Sequence, residues 1–238
     1  MSEKRFCIVG LGEVLWDCLP GGKRLGGAPA NFAYIAAQLG DRGIIASRVG
    51  NDADGIEIVE RLRSAGVKTD SIQIDKDHQT GTVNVELNDG QPCYEIKENA
   101  AWDFLELTGN WRDLALRCDA VCFGTLAQRS PASHKSIHEF LSLTNISVKR
   151  IFDVNLRQRY FSKDIIKESL TAATIAKVNH EELPVVADMF QIAGTNEIEL
   201  ANNLRETFDL ELICVTRGAN GSLLITENKT SEHAGVEI

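Results

Sequence analysis

The sequence holds no block of basic residues, few aromatics (6%) and no long apolar run, and its net charge is −9. Without a basic patch or interleaved aromatics, nucleic acid and anionic membrane are excluded as main partners. Met1-Ser2-Glu3-Lys4-Arg5 leads into an apolar run too short for a signal peptide or a membrane span, so a reduced cytoplasm is the expected location. Six cysteines are scattered along the chain. Cys118 and Cys122 stand four apart, but no second pair completes a zinc site. Internal repeats, linkers and low-complexity tracts are also missing. What remains is an ordinary globular composition, 43% hydrophobic and 25% charged over 238 residues. That length buries a full core as one large domain, or one domain with a small appendage.

The most informative stretch is Gly26-Gly27-Ala28-Pro29-Ala30-Asn31, which runs into Phe32 to Gly40. The glycines permit positive φ and leave no side chains in the way of something lying on the loop. Pro29 suits the first turn of a helix, Phe32, Ile35, Ala36 and Leu39 recur at helical spacing, and Gly40 is placed to end it. Asn31 then sits on the first turn, within reach of a polar group. An ordinary loop-to-helix junction would give the same letters, so the stretch gains weight only from its company.

Phe6 to Gly10 reads as a buried parallel strand. Gly10-Leu11-Gly12 starts like a dinucleotide fingerprint, but Leu15 replaces the third glycine, and Trp16-Asp17 leads to Pro20-Gly21-Gly22 instead of a helix. The fingerprint is rejected. Asp17 reads either as a carboxylate at the C-terminal end of the first strand, the edge where open α/β sheets bind ligands, or as a turn-capping residue beside Pro20. Strand 43–50, a helix capped by Asn51-Asp52 and ended by Gly66, and strand 72–75 continue a β/α alternation that implies a parallel sheet with helices on both faces. Residues 80–87 and 91–97 then alternate at period two around Asn88-Asp89-Gly90, an antiparallel hairpin that projects as a flap. A flap whose apolar face its own domain leaves open requires a lid position, a partner chain, or both.

Alternation resumes with strand 120–124 and a helix opening at Ser130-Pro131. His134 and His138 lie one turn apart on it, without a third ligand, and are read as a solvated face. In Arg150 to Arg157, alternation places Asp153, Asn155 and Arg157 on one side of an extended segment. A helix over 165–173 and strand 175–178 lead to Asn179, with Glu182 at the next helix start. A helix over 197–208, strand 212–216, the turn Arg217-Gly218-Ala219-Asn220-Gly221 and strand 222–225 follow.

Together these pieces resemble the ribokinase-like sugar kinases of the PfkB family, most closely the fructokinase branch. The resemblance covers Phe6 to Ile238. It is carried by Gly26 to Asn31, the flap with Gly90-Gln91-Pro92, Ala101-Trp102-Asp103, Asp153 to Arg157, Asn179 to Glu182 and Thr216 to Gly221. It implies one α/β domain over 1–238: a three-layer αβα body on a mainly parallel sheet, with lid strands inserted at about 13–25 and 78–100. It also implies ATP and Mg²⁺ as cofactors, phosphorylation of a primary hydroxyl of a small sugar, fructose first, and a homodimer through the flap.

By the same resemblance Asp17, Gly27 and Asn31 match the positions that hydrogen-bond sugar hydroxyls, a carboxylate accepting from two hydroxyls while an amide donates and accepts. Asn155 and Arg157 match positions near the substrate, where a planar cation suits phosphate or carboxylate. Asn179, Thr216 and Gly218 match the nucleotide side, and Glu182 the magnesium side. Strand-end capping remains an alternative for Asn155 and Thr216. The family's catalytic base, the last Asp of an Asp-Thr-x-Gly-Ala-Gly-Asp segment, would lie beyond Ile238, so no catalytic residue is expected in this chain, and the chain is expected to be a piece of a longer kinase. A sugar- or nucleotide-binding protein without catalysis, a nucleoside kinase and a 2-keto-3-deoxy acid kinase are the alternatives on the same fold.

Overall fold

In a computed structural model of the chain, residues 5–88 and 91–236 are described, the side chains of 85–88 and 91–94 excepted. Residues 1–148 and 149–238 form two compact units. The first contains, in order, β1 (Cys7–Leu11), β2 (Leu15–Leu19), β3 (Gly22–Gly26), α1 (Ala28–Gln38), β4 (Arg42–Gly50), α2 (Ala53–Ser64), β5 (Ile72–Asp75), β6 (Gly81–Asn88), β7 (Gln91–Ile96), α3 (Gly109–Arg117), β8 (Ala120–Gly124) and α4 (Pro131–Leu143). Its parallel sheet runs β8-β1-β4-β5. A separate four-stranded sheet, β3-β2-β6-β7, is antiparallel except for the β2–β6 pair. The second unit contains β9 (Lys149–Asp153), α5 (Lys163–Ala172), β10 (Ile175–Asn179), α6 (Glu182–Met189), α7 (Glu197–Thr207), β11 (Leu212–Thr216), β12 (Ser222–Thr226) and β13 (Thr230–His233). There β9, β10 and β11 are parallel, and β12 and β13 continue the sheet antiparallel.

Helices cover both faces of the first unit's sheet. Ile45 and Val49 of β4 join Ala30 and Ala33 of α1 and Ile58 and Leu62 of α2 in one apolar cluster. Arg48, between them in the alternation, turns the other way and donates to the Phe104 carbonyl at 2.8 Å. On that side Ser133 of α4 donates to the Trp102 carbonyl at 2.8 Å, and the Trp111 indole of α3 donates to the Ser71 carbonyl at 2.9 Å. The α/β fold with a small second sheet is therefore present as the sequence implied.

The small sheet is rooted in the body by Trp16. Its ring is fully buried in the same cluster, its Nε1 donates to the Asp54 carbonyl at 3.1 Å, and Lys23 and Arg61 lie over it at 4.5 and 4.8 Å. Val83 and Ile96 at the root of the flap are buried too, while the side chains of 85–88 and 91–94, on which the expected open apolar face falls, lie outside the described residues. The turn at Asp89-Gly90 lies outside the described residues.

Three further expectations change. The inner face of α1 is Ala30, Ala33 and Ala36, whereas Ile35 is 53% and Leu39 80% exposed. The reason is distance. A Cβ on Gly10 of β1 would stand 1.9 Å from the Pro29 carbonyl oxygen, and one on Gly43 of β4 would stand 2.0 Å from that of Ala33. The helix lies too close to the sheet for large side chains, and only Gly against Ala fits. Asp17 is not at the end of the first strand, which stops at Leu11, but in the middle of β2. The extended segment carrying Asp153 ends at that residue, and Asn155 has φ +40, so alternation does not align it with Arg157.

Candidate functional site

In the first unit, β2 and β3 form a tight hairpin that pairs Leu15 with Gly26 and Asp17 with Arg24. A Cβ on Gly26 would stand 2.4 Å from Asp17 Oδ2, so the bare glycine is what lets the carboxylate lie against the loop. Gly27 follows at φ +105, the N-cap of α1 with no side chain to cap with. A Cβ there would meet the Glu13 carbonyl oxygen at 2.5 Å, so both its φ and its surroundings require glycine. Asn31 lies on the first turn, exposed, and its backbone N–H donates to the Gly27 carbonyl at 2.9 Å. The fold thus sets the half-buried Asp17 carboxylate against the buried Gly26, with the half-buried Gly27 and the exposed Asn31 following at the helix start. A carboxylate can only accept hydrogen bonds when ionised, whereas an amide can both donate and accept, which is the chemistry a polyhydroxylated ligand would call on.

Below the hairpin, Gly81 of β6 meets the Trp102 indole, where a Cβ would stand 2.1 Å from Nε1. Trp102 is fully buried, with the Arg129 guanidinium 4.0 Å over its ring. Arg129 in turn holds Asp103 with both ends of its fork at 2.8 Å. The Ala101-Trp102-Asp103 piece is therefore a packed support. At the entry to the flap, Asp52 accepts from the Gly55 N–H at 2.8 Å and from the Thr80 N–H and hydroxyl at 2.8 and 2.7 Å. Asp75, almost fully buried, would have its pKa raised by that burial. The N–H groups of Asp77 and His78, the His78 ring and Arg48 outweigh it and hold the carboxyl down to about 2.

In the second unit, the C-terminal ends of β9, β10 and β11 carry the remaining candidates. Asn179 and Thr216 are register partners, and the His180 N–H donates to the Thr216 carbonyl at 3.0 Å. Asn179 Oδ1 accepts from the N–H groups of Glu181 and Glu182 at 2.8 and 2.7 Å, while Glu182 Oε2 accepts from the Asn179 N–H at 2.9 Å. This reciprocal pair has the logic of a capping box. Glu182 Oε1 accepts from the Leu156 N–H at 2.9 Å, which ties the loop after β9 to the start of α6. Arg157 on that loop is exposed, and among the described residues its guanidinium meets only the Leu156 carbonyl, at 3.4 Å. Asp153 instead pairs with Lys177 at 2.9 Å. Thr216 Oγ1 reaches the Val178 carbonyl at 3.4 Å, and Gly218, at φ +57, is exposed with open space around it.

Other candidates fall away. His138 Nε2 lies 3.0 Å from Gln128 Oε1, and the His134 and His138 rings are 4.5 Å apart, both half-buried, so this face is less solvated than expected. Burial pushes the Cys118 thiol up to about 12 and raises Cys7, which makes both poor nucleophiles. Among the described residues, no helix is long and apolar enough to cross a membrane. Glu13 and Trp16 went unremarked as functional or supporting groups in the sequence because neither sits in a spaced motif.

The model of the family described as pfkB family carbohydrate kinase matches residues 12–238. The chain is 31% identical over 168 residues to PH1459, a sugar kinase of Pyrococcus horikoshii, an alignment covering 68% of this chain and 54% of that protein. The crystal structure of PH1459, an uncharacterized sugar kinase, superposes with a TM-score of 0.82 at 26% identity, covering 97% of this chain and 77% of the other. PH1459 has also been solved in complex with ATP. A fructokinase of Escherichia coli is 27% identical over 248 aligned positions, covering 96% of this chain and 76% of that protein. The fructokinase of Vibrio cholerae, solved with fructose, ADP and calcium ion bound, superposes with a TM-score of 0.81 at 25% identity, covering 98% and 78%. The chain thus spans 54% to 78% of the length of these proteins.

Proposed function

This chain belongs to the PfkB family and is a carbohydrate-kinase domain of it, and from that premise we propose that the native protein transfers the γ-phosphoryl group of ATP to a primary hydroxyl of a small sugar, with fructose as the preferred acceptor. The observation that carries the reading is the meeting of Asp17, Gly27 and Asn31 on one loop. Asp17 accepts from two sugar hydroxyls, Asn31 donates to and accepts from a third, and the glycines at 26 and 27 let the Asp17 carboxylate and the Glu13 main chain lie against the loop. Fructose is favoured because relatives named fructokinase match over most of this chain, and one neighbour was solved with fructose bound.

In the second unit we assign Asn155 and the exposed guanidinium of Arg157 to the substrate and the phosphate it receives, and Asn179, Thr216 and Gly218 at the strand ends to the nucleotide. Magnesium suits Glu182. After each oxygen has accepted one backbone N–H, one acceptor position per oxygen remains, which fits a hydrated cation held through water. When bound, the ion supplies charge neutralisation at the phosphate oxygens. The flap closes over the acceptor and excludes water, which would otherwise compete for the phosphoryl group. We place the protein in the cytoplasm as a dimer through the flap, which sedimentation at micromolar concentration tests.

The test is a panel of sugars with detection of ADP. Fructose-stimulated ADP release that Asp17→Ala abolishes supports the reading. Sugar binding without ADP release replaces it by a binding protein. The exposed guanidinium of Arg157 favours a second acceptor class, 2-keto-3-deoxy acids. If that class is correct, Arg157→Ala weakens the acid far more than it weakens fructose.

A further inference from the structure

Glu13 lies in the turn between β1 and β2, is 1% exposed, and plays no part in the reading above. Its Oε1 accepts from the backbone N–H of Ala28 at 3.3 Å. That N–H is one of the unpaired donors that every helix start must satisfy, and α1 is poorly equipped to satisfy its own. Its N-cap is Gly27, its first turn has no acidic residue, and Pro29 has no N–H to offer. A capping Ser, Thr or Asp cannot replace Gly27, because the added Cβ would meet the Glu13 carbonyl oxygen at 2.5 Å. One residue therefore does two things. The main chain of Glu13 forms the floor under Gly27, and its side chain takes the N–H of the next residue.

Contact on both sides fixes the plane of the Gly27–Ala28 peptide. The Gly27 carbonyl in turn receives the Asn31 N–H at 2.9 Å, so the setting of that peptide reaches Asn31. We propose that Glu13 is the positioning residue of the sugar loop: it substitutes from 15 positions upstream for the missing cap of α1 and holds Gly27 and Asn31 at the acceptor. This rests on the sugar-kinase reading for what the loop binds, though not for the loop's order. A carboxylate at this helix start also occupies the place an anion would take, so the ligand received here is a neutral polyol and not a phosphate.

The experiment uses the native full-length protein and three variants, Glu13→Ala, Glu13→Gln and Glu13→Asp. Two readouts are taken: amide hydrogen exchange, and the KM values for sugar and ATP with kcat. Glu13→Ala is expected to speed exchange in residues 26–31 while α2 keeps its protection, and to raise the sugar KM at least about tenfold with the ATP KM unchanged, since a loop misplaced by about 1 Å has effects of this order or larger. Glu13→Gln keeps an acceptor and stays within about threefold of wild type, while Glu13→Asp, too short to reach, behaves like Glu13→Ala while remaining folded. Unaltered exchange at 26–31 in the alanine variant overturns the proposal. So does an equal rise of both KM values with protection lost throughout the unit, which is the mark of a merely structural residue. Should Glu13→Ala not fold, an unchanged sugar KM in Glu13→Asp overturns it instead. A wild-type protein without sugar-dependent turnover sinks the kinase reading alone, and the exchange data still decide the role of Glu13.

Discussion

Two helices begin at the candidate site residues, and they are finished in opposite ways. At α6 the cap is local: Asn179 and Glu182 exchange hydrogen bonds with each other's backbone N–H groups over three positions. At α1 nothing local serves, and the carboxylate arrives from Glu13, while the cap position is a glycine at φ +105. A local cap makes α6 self-sufficient and leaves the Glu182 oxygens partly free for other work. A borrowed cap makes α1 dependent on the turn before β2, and in return keeps the backbone of Gly26 and Gly27 bare. The difference teaches that a helix start made of glycine, with no side chain to cap it, needs a partner from elsewhere in the chain.

Four substitutions or titrations separate these two designs, and they are ordered here by expected size. Gly27→Ala forces a Cβ into the Glu13 main chain at an unfavourable φ and should cost about 4 kcal/mol in denaturant unfolding, whereas Gly40→Ala, at φ +98 with open space, should cost only about 1 kcal/mol. A Gly27→Ala loss no larger than that of Gly40→Ala would show that the floor under α1 yields. Glu182→Ala strands the N–H groups of Leu156 and Asn179 together and should cost about 3 kcal/mol, with faster exchange at Leu156. A loss confined to activity would mean that the carboxylate serves the ligand and not the fold.

A third carboxylate sharpens the contrast through pH. Against the burial that would raise it, the N–H groups of Asp77 and His78, the His78 ring and Arg48 hold the Asp75 carboxyl near 2 instead of the ordinary 3.8. Because the folded value is the lower one, its contribution is complete above about pH 5 and is lost as pH falls towards 2. The loss should be about 2 kcal/mol, measured as the denaturant midpoint against pH, and Asp75→Asn should flatten that part of the curve. Smallest of the four, Asn179→Ala removes a cap whose N–H groups can turn to water and should cost about 1 kcal/mol.

How far the sequence could be read follows the same division between local and distant. The strands of the parallel sheet, the cap at Asp52 and the glycine turn into α1 are written in neighbouring letters, and they lie where periodicity and turn chemistry put them. The inner face of α1 was misread because hydrophobic spacing assumes that the largest residues face the core. Here Gly10 and Gly43 draw the helix backbone so near that only alanines fit. Asp17 was assigned to the end of the first strand because nothing in Gly12 to Trp16 announces that the chain leaves the main sheet for the small one. Glu13 and Trp16 act on residues 15 and 38 positions away, Ala28 and Asp54, and single-letter patterns do not carry such pairings. Asn155 and Arg157 looked aligned only on the assumption of an extended backbone, which ends at Asp153.

The most direct test is ADP release by the native full-length protein with and without fructose, run beside Asp17→Ala and a control variant, Ile146→Ala, whose side chain is exposed. The account predicts release that depends on the sugar, is lost in Asp17→Ala, and is unchanged in Ile146→Ala. Release at the same rate without sugar, or full sugar-dependent release in Asp17→Ala, would contradict the assignment of the Asp17, Gly27 and Asn31 loop as the acceptor site.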